Sequence, residues 1–279
     1  MPSLRTPVTL VLVRDTFREA FLRWVFWGLF GLSTALLLFF LFLMRIDVVQ
    51  GAKATVALFG QSTGKALEVA KLVRQVHGAV AAFFYMFAMF VAVFASATLM
   101  PAALERGRVE LLLAKPVRRW HLLLARYGAN LLVVTLNTCY LIAGVWLIFG
   151  WKTGIWHTSF LHAILTTAFM FAVLLTVVTL VAVFSENAAL ATMITFALMV
   201  MSPILAQHKL MVKLLSAEWS RRLWMGLYQA LPKFFDVGAL NMDLVMGRKV
   251  ESWAPVWTSA AFGVVILGVA LYWFEKRDY

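Results

Sequence analysis

The stretch TSFLHAILTTAFMFAVLLTVVTLVAVFSENAALATMITFALMVMSPIL, Thr158 to Leu205, is two apolar runs divided only by Ser185, Glu186 and Asn187. A helix rises about 1.5 Å per residue and a hydrocarbon core is about 30 Å thick, so one helix through both runs would be more than twice as long as a bilayer is thick. The stretch therefore predicts a helical hairpin of two membrane spans. Its runs are continuous and do not alternate every second residue, which favours helices over barrel strands.

Four further runs outside the hairpin lack Asp, Glu, Lys and Arg: 24–44, 78–104, 127–151 and 253–274. With 158–184 and 188–205 they make six spans of adequate length, and an even number puts both termini on one side. The composition agrees, because 63% hydrophobic and 14% charged residues lie far from a soluble profile. The reading is a single all-α membrane domain over 1–279. The first run is as long as a true span and is followed by charge, not by a small-residue cleavage site, so no cleaved leader is expected. Cys139 is the single cysteine and sits in the third span, which precludes an intrachain disulfide.

Between spans two and three lies LERGRVELLLAKPVRRWHLLLARY, Leu104 to Tyr127, with six basic and two acidic side chains, while the apolar runs on either side carry none. Loops on the side of the termini hold 12 Lys and Arg and those on the other side 13, so the bare count does not orient the chain. Charge density does. Six basic residues fall within Glu105 to Arg126, against five in Arg45 to His77 and seven in Ala206 to Ser252. The positive-inside rule then predicts cytoplasmic termini. The net charge of +12 reads as attraction to anionic lipid headgroups and not to nucleic acid.

Pro116 disfavours helix at Lys115 and suits the first turn of a new helix, so the charged segment divides there. Glu105 to Ala114 is expected to form a short surface helix, and Pro116 to open the helix that becomes span three. Pro7 to Arg23 places Leu10, Val13, Phe17, Ala20 and Phe21 near one helical face, with Arg14, Asp15, Arg18 and Glu19 largely elsewhere. This predicts an interfacial helix that anchors the first span or also touches a cytoplasmic partner. On the opposite side, Lys65 to Val76 and Leu210 to Leu231 show helical periodicity, and Trp219, Trp224 and Tyr228 suit a membrane interface.

The order Glu105, Gly107, Glu110, Leu112, Leu113, Pro116, Arg119 and then LLLARYGAN resembles the loop between spans two and three of ABC-2 type transporter permeases. YQALPKFFD, Tyr228 to Asp236, is similar to the Tyr and Pro-aromatic segment that family places between spans five and six, and FEKRD, Phe274 to Asp278, to its basic ending. Arg108 stands where the family usually has Thr. The resemblance implies a non-catalytic membrane subunit whose coupling helix, with Glu105, Arg106, Gly107, Arg108, Glu110, Leu112, Leu113, Pro116 and Arg119, seats on a separate ABC ATPase subunit. It implies no cofactor in this chain, since ATP and magnesium belong to that partner. It also implies a bacterial inner-membrane location, a second permease copy or a similar permease to complete the pathway, and room for a periplasmic accessory protein. Cargo in the family ranges over drugs, lipids, polysaccharides, peptides, and factors for copper-enzyme maturation or gliding.

Tyr85, Ser96, Asn137, Thr192, Thr195 and Ser202 are the polar candidates to line a pathway. Interhelical hydrogen bonding is the alternative reading of each. No metal-ligand spacing occurs. GQSTGK at Gly60 to Lys65 lacks the spacing of a phosphate-binding loop, and Ala66 replaces its Ser or Thr. An ion-coupled carrier would need ionisable groups inside the spans, and His162, near an outer end, is alone there. Haem proteins need several span histidines and intramembrane proteases a paired nucleophile and base or two aspartates, so neither is supported. A non-transporting scaffold makes no chemical demand and stays open.

Overall fold

The computed structural model describes residues 24–49, 53–58, 61–62, 67–103, 119–185, 187–207 and 217–276. Eight α-helices occur among them: α1 Trp24–Leu38, α2 Val69–Ala103, α3 Arg119–Thr153, α4 His162–Ser185, α5 Ala188–Ala206, α6 Glu218–Ala230, α7 Phe234–Val245 and α8 Ala254–Lys276. Five segments are long and apolar enough to cross a bilayer, within α2, α3, α4, α5 and α8, and α1 contributes a shorter apolar helix over Trp27–Phe42.

The hairpin is formed as its sequence predicts. Asn187 caps α5, its Oδ1 accepting from the backbone N–H groups of Ala189 at 2.9 Å and Leu190 at 3.3 Å, which offsets helix-end donors that would otherwise lack a partner. Asn187 needs an extended backbone for this (φ −110°, ψ 113°), and that same conformation breaks the run between α4 and α5.

α4 is the central helix, packed against α2, α3, α5, α7 and α8. Its sequence is apolar on every side, as a helix buried all round must be. Thr176 and Thr179, both buried, return their hydroxyls to the carbonyls of Val173 and Leu175 on α4 itself, so neither leaves a polar group unpaired. One apolar cluster joins α4 to Val93, Leu122, Leu123 and Phe274, and a second gathers Leu37, Phe84, Phe149 and Phe160. Successive spans alternate in direction. Ala103, Arg119, Ser185 and Lys276 therefore mark one face of the bundle, and His77, Thr153, His162 and Ala206 mark the opposite, far face.

The first span departs from the continuous run expected over 24–44. Its α-helix stops at Leu38, a π-helical turn follows over Phe39–Leu43, and a strand begins at Met44. Lys152 at the end of α3 explains the change, because its Nζ donates to the carbonyls of Phe40 at 2.9 Å and Leu41 at 2.6 Å. Those oxygens would otherwise lie exposed where the helical ladder loosens. Lys152→Met should lower the thermal unfolding temperature of the detergent-solubilised protein, at a cost of about 1–2 kcal/mol for two lost bonds.

The spans are helical throughout, but a small antiparallel sheet interrupts the loop between α1 and α2: β1 Met44–Val49, β2 Lys53–Leu58, β3 Gln61–Ser62 and β4 Leu67–Glu68, with β2 pairing all the others. Of the stretch Lys65 to Val76 that shows helical periodicity, Val69 onward is helical, whereas Leu67 and Glu68 pair with Ala54 and Lys53 and residues 65–66 lie outside the described ones. The β-branched residues Ile46, Val48, Val49, Thr55 and Val56 suit strands, a signal hidden within a charged loop. α3 ends at Gly154, whose φ of 72° places it in the left-handed region and lets its N–H reach the Gly150 carbonyl at 2.9 Å.

Candidate functional site

The charged segment is held between two helices fixed to the same core. α2 ends at Ala103 and α3 is described from Arg119, so 104–118, with Glu105, Arg106, Gly107, Arg108, Glu110, Leu112, Leu113 and Pro116, lies outside the described residues. Arg14, Asp15, Arg18 and Glu19 lie outside them too. Arg119 is half-buried in the first described turn of α3. Close by, Trp120 and His121 stack with ring centroids 3.6 Å apart.

One hydrogen bond ties the two flanking helices together near the segment. Ser96 on α2 donates to Asn130 Oδ1 on α3 at 3.2 Å, with both residues buried. Nearer the segment on α3, Tyr127 donates to the Ala172 carbonyl of central α4 at 2.8 Å. Leu122 and Leu123 pack fully inside on the same stretch. These contacts fasten α2 and α3 to each other and α3 to the central α4.

The six polar candidates do not form one row. Ser96 bridges α2 and α3 as above. Thr192 and Thr195 bond back to the carbonyls of Ala188 and Ala191 on their own helix. Asn137 accepts from Ser33 of α1 at 3.2 Å and lines a cleft between α1, α2 and α3 together with Ser33 and Thr138. Only Tyr85 and Ser202 meet, and they do so around the start of α7.

That meeting point was not legible as a site in the sequence. α7 does not lie on the surface but sinks among α2, α4, α5 and α8, burying Phe234, Val237, Leu240, Asn241 and Val245. Three side chains from three spans hold its entry. Tyr85 of α2 donates to the Phe234 carbonyl at 2.8 Å, Ser202 of α5 accepts from the Phe235 N–H at 2.9 Å, and Ser259 of α8 accepts from the Lys233 N–H at 3.0 Å. Thr166 of α4 secures the far end by donating to Asn241 Oδ1 at 2.6 Å. An apolar groove of about 210 Å³ runs between α2 and α7, lined by Ala82, Tyr85, Met86, Phe235, Gly238, Ala239 and Met242.

Charge is concentrated at the turn that leads into α7. Lys233 is 7% exposed, with Nζ 4.2 Å from the centroid of the Tyr228 ring. The Tyr228 hydroxyl donates to Asp236 Oδ2 at 3.0 Å. Burial, followed by the charge and hydrogen bonding of Asp236, raises Tyr228 to about 12. Burial lowers Lys233, and the Asp236 charge opposes that shift. α6, which precedes the turn, buries none of its side chains and leaves Trp219, Leu223, Met225 and Leu227 exposed, as an interfacial helix requires.

A family model described as ABC-2 family transporter protein matches residues 10–279, nearly the whole chain. The chain belongs to the ABC-2 transporter family. Comparison with curated proteins returns no match. Membership makes this ABC-2 chain a membrane subunit of a family that pairs with ATPase subunits and is typically non-catalytic itself. The segment YQALPKFFD, Tyr228 to Asp236, runs from the end of α6 into the first turn of α7. Among the described residues no group of three or more His, Cys, Asp or Glu could hold a metal ion.

Proposed function

We propose that this chain is the permease subunit of an ATP-driven exporter, with both termini cytoplasmic in a bacterial inner membrane. The family match carries the reading. An ABC ATPase seats on Glu105 to Arg119, with Arg106, Arg108 and Arg119 meeting its surface and the N-terminal helix, through Arg14, Asp15, Arg18 and Glu19, helping to transmit movement. The Ser96–Asn130 and Tyr127–Ala172 bonds support the transmission, because they join both flanking helices to the centre of the bundle. A second copy, or a similar permease, encloses the pathway, and Asn137, Thr192 and Thr195 are its polar candidates. The many Phe, Met, Leu and Trp side chains favour an amphipathic or lipid-like cargo, in keeping with a drug-export, copper-enzyme-maturation or gliding branch.

An ion-coupled carrier is disfavoured by the absence of Asp, Glu, Lys and Arg from the six apolar runs. Purification of the tagged chain should bring down an ATPase, and its hydrolysis in nanodiscs should change by at least about twofold when an amphipathic cargo is added, a modest shift of under 1 kcal/mol in barrier. Purification without an ATPase would favour a scaffold.

A further inference from the structure

The far face carries a histidine pair that the transport reading does not use. His77, near the start of α2, is 0% exposed, and neither of its ring nitrogens has a hydrogen-bond partner. Its ring stacks on His157 (centroids 5.6 Å apart, planes 10° apart) and on Phe160 (4.4 Å, 22°), and Phe149 leans on it at 4.9 Å. His157 Nδ1 is likewise buried without a partner. A neutral imidazole tolerates such a box poorly and an imidazolium far worse, because both N–H groups then need acceptors that the two phenyl rings cannot supply.

The surrounding charges sharpen the contrast. Arg74 lies on α2 itself and acts on His157. Lys152 of α3 points its amine to the carbonyls of Phe40 and Leu41, and His162 of α4 sets Nδ1 against the Ser159 carbonyl at 3.0 Å. On the α7 side Met246 packs by Gly78, while the Asp243 carboxylate is engaged by Arg248 at 3.7 Å. A shared metal does not suit the pair, since nearly parallel rings direct their in-plane lone pairs side by side and not to a common point.

We propose that the His77–His157 stack is an acid-released latch, which in its neutral form clamps the far end of α2 to the turn between α3 and α4 and on protonation lets them separate. Two imidazolium rings and the Arg74 guanidinium would then repel across a site in which, among the described side chains, no carboxylate is engaged. α2 is the helix that ends at the charged segment, so the latch sets how firmly its opposite end is held. The sign follows from His157, which burial and then Arg74 hold below its ordinary value of 6.5. The folded state takes up this proton less readily than the unfolded one, so the stabilisation is complete above about pH 6.5 and is lost as pH falls below it.

Hydrogen exchange of the full-length protein in nanodiscs tests this, comparing about pH 7.5 with about pH 4 after correction for intrinsic exchange. In the wild type, segments 69–82 and 150–162 should lose about tenfold or more in protection at the lower pH, while the centre of α4 stays unchanged. His77→Phe keeps the ring box and removes one of the two titrating rings, so that a charge on His157 meets a phenyl face in place of a second imidazole, and should abolish the loss. His157→Asn, which decides the matter where the Phe variant folds poorly, should abolish it too. Protection that does not depend on pH in the wild type, or a loss that persists in a folded variant, would overturn the proposal.

Discussion

Reversing charge at Arg106, Arg108 and Arg119 together should weaken capture of the ATPase subunit by about 10- to 100-fold, or leave it bound with hydrolysis unlinked from transport. Three cations become three anions on the surface proposed to meet the partner. A screened rim charge contributes only tenths of a kcal/mol, whereas a hydrogen-bonded charge at a desolvated contact contributes about 2–5 kcal/mol, so one well-seated arginine among the three suffices for the larger figure. The change should spare the fold. Arg119 is half-buried in the first described turn of α3, so reversing Arg106 and Arg108 alone gives the companion variant that leaves the described helix untouched. Unfolding temperature and co-purification therefore move independently, and reading both separates lost docking from lost structure. Retained capture with normal transport would count heavily against the coupling assignment.

Gly238→Val should lift α7 off α2. A Cβ at Gly238 would stand 2.8 Å from Tyr85 Cε1, closer than real contacts allow, and a tight 3.1 Å from Cδ1. The ring cannot swing aside, because it is 2% exposed, stacks on Phe234 at 5.0 Å and is tied at its hydroxyl to the Phe234 carbonyl. Overpacking of this kind costs about 1–3 kcal/mol, and Gly238→Ala should show a smaller loss with the same sign. Thermal unfolding in detergent measures it. Combining Gly238→Ala with Tyr85→Leu should recover part of the loss, since the smaller side chain vacates the contested space; strict additivity would mean that the two sites do not touch. A displaced α7 would also release Ser202 and Ser259 from its entry, so transport should fall further than stability alone explains.

How far the sequence shows this fold depends on which signals are local. The hairpin at Ser185 to Asn187 is legible because length against bilayer thickness leaves one solution, and Asn187 supplies the cap that its residue type suggests. The end of α1 is not legible, because nothing in the run Phe39 to Leu43 marks a π turn; the cause is Lys152, more than 100 residues away. The burial of α7 escapes for a similar reason. Pro232 announces a turn and Tyr228 to Asp236 a family-like segment, but the hydroxyls of Tyr85, Ser202 and Ser259 that draw its entry into the bundle come from three separate spans. Read along the sequence, all three are only polar spots within apolar runs, and Ser259 is not among the six candidates. All six candidates secure helices to one another or bond to their own backbone, which is what a span does with a polar side chain when water is absent.

The proposed coupling requires the ATPase to sit on Glu105 to Arg119. A photocrosslinking residue introduced singly at Glu105, Glu110 or Leu112 of the full-length chain in native membranes tests that claim most directly. The account predicts a covalent product with the ATPase subunit from at least one of these positions, whose yield changes when ATP is trapped unhydrolysed. A chain that purifies with its ATPase yet crosslinks from all three positions only to lipid, or to itself, would contradict it.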